Sequence, residues 1–176
     1  MTEWSSVVSE GQLASAIRHM RKILRDLAYL EFNYYFYWLG ASERSDFAGE
    51  ELIYRPAGRG FERTKLYYIL KELFNRVPKG SVVRTLGENN DPGLESFGPD
   101  NVDMLSFAIG GKMVIVLVNP TSDARSFTVS GVTGENAVVL RTSESEDMNR
   151  TGTFPVRDGQ LTIELPAMTI LLIEIS

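Results

Sequence analysis

Hydrophobic periodicity changes once along this chain, near residue 80, and that change limits the folds open to it. From Gln12 to about Ala28 the apolar residues Leu13, Ala16, Ile17, Met20, Ile23, Leu24 and Leu27 recur at three- and four-residue spacing. Arg18, Arg21, Lys22 and Arg25 fall between them, so the segment reads as an amphipathic helix. A second helical pattern, from about Glu62 to Arg76, places Leu66, Ile69, Leu70, Leu73 and Phe74 on one stripe. Pro78-Lys79-Gly80 stops it. Thr2–Val8 reads as a short strand or strand end before the first helix, and the aromatic Phe32–Leu39 before the second has the continuous apolar character of a strand buried on both faces.

After Ser81 the pattern is of short strands: Val102–Ile109, Lys112–Asn119, Ser126–Val132, Ala137–Thr142, Leu161–Leu165 and Thr169–Ile175. Gly110-Gly111, Asn119-Pro120, Gly131, Gly134, Asp158-Gly159 and Pro166 punctuate them. Regular short strands with such turns predict an antiparallel β-sandwich. The expected organisation is therefore α/β plus all-β, with residues 1–80 running strand, helix, strand, helix and residues 81–176 forming a sandwich.

Composition narrows the chemistry. The net charge of −5 disfavours nucleic acid or an anionic membrane as partner. No apolar run approaches the roughly 20 residues of a membrane span. The first ten residues are mixed and acidic, unlike a secretory leader, and the compartment stays open. Cysteine is absent, which removes disulfides, thiolate metal sites and a cysteine nucleophile. His19 is the sole histidine, so a His-rich metal site and a serine–histidine triad are both disfavoured. No metal and no cofactor is expected, and carboxylates are left to carry any chemistry.

The residues with that capacity lie early. Thr2-Glu3-Trp4 sets a carboxylate beside a tryptophan at the very start of the sequence, and Asn33–Trp38 ends on Tyr37-Trp38. Together with the order that follows, these motifs resemble the C-terminal portion of a glycoside hydrolase of family 30 or a near relative. In that family a Ser/Thr-Glu-aromatic motif on the seventh barrel strand carries the nucleophile, and an aromatic-Trp pair ends the eighth strand. Phe74–Ser81 resembles the entry to the side sandwich. Thr142–Met148 and Leu165-Pro166-Ala167 resemble later landmarks of it.

The resemblance implies a fold of two terminal β/α units of a TIM-type barrel, over residues 1–80, followed by an antiparallel β-sandwich over 81–176. It implies that the chain is the C-terminal part of a retaining β-glycosidase acting on β-linked glycans. Glu3 would be the nucleophile, and Trp38, with Trp4 and Tyr37 behind it, would contact the sugar. The family's acid/base lies on the fourth barrel strand, which has no counterpart here, so the chain alone should be catalytically incomplete. A β-glycoside is the expected substrate, and self-association or an upstream barrel portion the expected partner. The alternative is a non-catalytic carbohydrate-binding or structural sandwich module.

Other features read more plainly. Arg55, Arg59 and Arg63, in or just after the polar stretch Gly40–Gly60, fit a solvated loop better than an acidic-sugar site. Glu43, Glu50 and Glu51 have no spacing that marks substitute acids. Asp147–Asp158 partly echoes a calcium loop, but with aspartate at the twelfth position and strands around it a turn is expected. Asn149-Arg150-Thr151 fits a glycosylation acceptor only in a secretory context.

Overall fold

The computed structural model describes residues 11–29, 40–43, 49–84 and 102–176. Two helices, α1 (Gln12–Tyr29) and α2 (Lys65–Arg76), lie against a sheet of six strands. Its strands are β4 (Val82–Arg84), β5 (Asp103–Ile109), β6 (Lys112–Asn119), β8 (Asn136–Ser143), β9 (Glu146–Pro155) and β11 (Thr169–Ile175). Their order is β4-β5-β6-β11-β8-β9, antiparallel throughout. Strands β7 (Arg125–Ser130) and β10 (Gln160–Leu165) pair as a separate antiparallel sheet. A third, small sheet joins β1 (Ala41–Ser42), β2 (Ile53–Tyr54) and β3 (Glu62–Arg63), with β1 parallel to β2.

The centre of the large sheet is buried on both faces, and its strands β6 and β11 divide their side chains between two cores. On β11, Ile170 and Leu172 join Val114, Val116 and Val118 of β6 beneath the helices, where Ile17, Met20, Leu24, Ile69 and Leu73 meet them. Leu171, Ile173 and Ile175 point the other way, with Ile115 and Leu117. There they pack on Val129 of β7 and on Leu161, Ile163 and Leu165 of β10. Alternate residues of a strand face opposite sides of its sheet, so a strand covered on both sides must be apolar without interruption. That is why Met113–Val118 and Ile170–Ile173 show no alternation. Strands β7 and β10 cover one face only and do alternate: Ser126, Thr128 and Ser130 are exposed while Val129 is buried.

Some elements differ from the sequence reading. α2 begins at Lys65 rather than Glu62, because Glu62 and Arg63 pair with Tyr54 and Ile53 as β3. Thr64 then caps the helix, its hydroxyl accepting from the Tyr67 backbone N–H. The stretch Gly40–Gly60, read as loop, holds β1 and β2. The segment from Asp147, read as a turn, is most of the edge strand β9, which bonds to β8 through two register shifts. Among the described residues no group of His, Asp or Glu could hold a metal ion. The expected barrel-type strands Thr2–Val8 and Phe32–Leu39 lie outside the described residues.

Candidate functional site

Glu3, Trp4, Tyr37 and Trp38 all lie outside the described residues. What the structure describes nearest them in sequence is Gly11 and Gln12 at the start of α1, and residues 40–43 and 49–84, a frame that includes β1, β2 and β3. That frame is tied tightly together. The Ile53 N–H donates to the Gly40 carbonyl at 3.0 Å and the Thr64 N–H to the Leu52 carbonyl at 2.9 Å. The Thr64 hydroxyl donates to the Glu51 carbonyl at 2.9 Å. Gln12 bridges two elements, its amide nitrogen 3.5 Å from the Tyr54 hydroxyl and its amide oxygen accepting from the Lys65 N–H at 3.3 Å.

The charged residues of this stretch divide by environment. Arg55, Arg59 and Arg63 are exposed. Arg59 pairs with Glu62 at 3.4 Å, and the Arg63 guanidinium lies 5.2 Å from the centre of the Tyr67 ring. Glu50 and Glu51 are buried. The Glu51 carboxylate accepts from the Ser42 hydroxyl at 3.0 Å and from the Glu50 N–H at 3.3 Å. These donors satisfy the buried carboxylate inside the frame. Glu43 is exposed, directly after β1.

His19 and Ser15 face each other in the buried side of α1, 3.3 Å apart. The pair does not form a nucleophile. His19 Nδ1 lies 2.7 Å from the Ser15 carbonyl oxygen, which can only accept, so Nδ1 carries the proton. The Ser15 hydroxyl meanwhile donates to the Gly49 carbonyl. Burial pushes the His19 pKa down. The Ser15 carbonyl partly opposes this and Arg18 adds to it, which keeps the imidazole neutral.

Ionic contacts join the helices to the large sheet: Arg21 and Arg25 to Asp103, Lys65 to Asp147, and Arg76 to Glu174 at 3.0 Å. Arg21 Nε lies 2.7 Å from Asp103 Oδ2 and Arg25 stands 3.6 Å from Oδ1, with the Asp103 side chain wholly buried. Lys65 Nζ lies 2.9 Å from Asp147 Oδ1 and 3.3 Å from the Glu146 carbonyl. A charged residue inside an otherwise apolar run, as Asp103 is before Met104–Ile109, is the signal that would have marked the first. Beside it, Ile17, Arg18, Arg21, Arg25, Asp26 and Met168 line a groove of about 520 Å³.

No family model matches the sequence, and no curated protein matches it. Solved structures do match its fold. A family 30 endoxylanase from Clostridium papyrosolvens C71 is similar over 100% of this chain and 41% of its own, at 18% identity and a TM-score of 0.69. A family 30 subfamily 8 xylanase from Clostridium acetobutylicum aligns over 99% and 41%, at 17% identity and 0.73. The catalytic domain of xylanase C from Talaromyces cellulolyticus aligns over 99% and 37%, at 17% and 0.70. The chain thus has, over its whole length, the fold of part of a family 30 glycoside hydrolase, consistent with a C-terminal portion. It spans about two-fifths of the length of those structures.

Proposed function

We propose that this chain is the C-terminal part of a retaining β-glycosidase acting on β-linked glycans. The observation that carries the reading is the full-length likeness of fold to family 30 xylanases. The Thr2-Glu3-Trp4 and Tyr37-Trp38 motifs support it, since they stand in the order that the resemblance requires. In this reading residues 1–80 are the last two strand–helix units of a barrel and residues 81–176 the side sandwich.

Retaining hydrolysis needs two carboxyl groups about 5–5.5 Å apart. An oxygen of Glu3 attacks the anomeric carbon as the glycosidic bond breaks. An upstream carboxylic acid gives its proton to the departing oxygen. The same group, now a carboxylate, takes a proton from water as water displaces Glu3. Trp38 offers an aromatic face to the apolar side of the sugar, with Trp4 and Tyr37 beside it. The second carboxyl group comes from an upstream barrel portion, or from a second copy if the chain self-associates. Since the matching structures are xylanases, xylose-based glycosides are the first substrates to test.

An aryl β-xyloside with a strongly activated leaving group isolates the nucleophile, because such a phenolate departs without needing a proton. The reading expects phenolate release by the chain that is lost in Glu3→Gln. Equal release from both proteins, or none from either, would count against Glu3 as nucleophile.

A further inference from the structure

Lys65 is badly placed by every local rule. It is nearly buried, 9% exposed, and a buried ammonium is costly unless paired. It also opens α2, where the positive end of the helix disfavours a cation. A residue that breaks local rules is retained for a longer-range reason, and its contacts supply one. Its ammonium reaches across to the β8–β9 hairpin, to Asp147 Oδ1 and the Glu146 carbonyl. The hairpin is itself braced there. Glu146 takes two hydrogen bonds from Arg141, at 2.6 and 2.8 Å, and one from Ser143 at 2.8 Å.

On its other side Lys65 leads into the β1–β2–β3 frame. Its N–H bonds to Gln12, which reaches Tyr54 of β2. Its neighbour Thr64 holds the Glu51 and Leu52 carbonyls, and the Glu51 carboxylate holds Ser42 of β1. Ser42 is four residues beyond Trp38 in sequence. A continuous polar path therefore runs from the tip of a hairpin in the large sheet to the strand that follows the aromatic run.

We propose that Lys65 and Asp147 are positioning residues. Through them the β8–β9 hairpin fixes the β1–β2–β3 frame and with it Gly40, two residues beyond Trp38 in sequence. The importance of Trp38 for sugar contact rests on the function proposed above. The fixing of the frame does not, and the two can fail separately.

Amide hydrogen exchange of the full chain, without glycan, tests the frame directly. Lys65→Met and Asp147→Asn should each speed exchange of the Ile53 and Thr64 amides by roughly tenfold. Leu117 and Leu172, in the central strands, should keep their rates, and Lys65→Arg should restore protection. Unchanged rates at Ile53 and Thr64 overturn the proposal. So does a rise there that Leu117 and Leu172 share, which would mark a general loss of stability.

Discussion

The Arg21 guanidinium stands 2.7 Å from a carboxylate, that of Asp103, which has no solvent exposure at all. This contact joins α1 to β5 across 82 residues of sequence. Burial pushes the Asp103 carboxyl above the ordinary carboxylate range, and Arg21 and Arg25 pull it back only part of the way. The folded state therefore takes up this proton at higher pH than the unfolded chain does. Its contribution to stability is fully present below about pH 3.9 and is lost as pH rises through the folded value.

Arg21→Met leaves the carboxylate with Arg25 alone at 3.6 Å. Removing one partner of a buried pair costs several kcal/mol, and with Arg25 still in place we expect about 2–4 kcal/mol at pH 7. Protonation of Asp103 removes the unpaired charge, so the deficit should shrink as pH falls towards 4. Urea unfolding of both proteins at a series of pH values checks this. A deficit that does not change with pH would contradict it.

His19 behaves in the opposite sense. Its pKa is lowered, chiefly by burial, so the unfolded chain binds more protons than the folded one just below about pH 6.5. Stability is then present above that pH and falls as pH drops through the folded value. Because His19 is the sole histidine, its ring resonances can be followed by NMR without assignment. They should titrate below the ordinary histidine range. His19→Gln should flatten the fall in stability between pH 7 and 5, and an unaltered fall would assign it to other groups.

The two cores predict separable effects from neighbouring residues of one strand. Leu172 lies beneath the helices and Ile173 beneath β7 and β10, both almost wholly buried. Each change to alanine should cost about 2–5 kcal/mol. Below global unfolding, Leu172→Ala should speed amide exchange first in α1 and α2, and Ile173→Ala first in β7 and β10. The same exchange map for both variants would mean that the cores are not distinct.

What the sequence made legible follows from where its patterns have one cause. α1 runs Gln12–Tyr29 against an expected Gln12–Ala28, because a single buried stripe sets the periodicity. β10 was clear for the same reason, and β6 because burial on both faces leaves its run apolar without interruption. β9 was missed because it is an edge strand, with its polar side chains mostly exposed and its register broken twice. No alternation survives in Glu146–Pro155 for a reader to find. The start of α2 was misplaced by three residues, since the pairing of Glu62 with Tyr54 is a tertiary fact and overrides local propensity. The contacts of Asp103 and Lys65 were not legible. Their partners lie 82 residues away in each case, beyond the reach of any local pattern. The candidate site was legible only as motifs, and Glu3, Trp4, Tyr37 and Trp38 stand as proposals.

The chain has two tryptophans, Trp4 and Trp38, and both are candidate sugar contacts. Its tryptophan emission therefore reports on the proposed site and nothing else. Titration with β-linked xylo-oligosaccharides should give a saturable change in that emission, reduced in Trp38→Ala. Emission that stays constant across a panel of β-linked glycans would contradict the account.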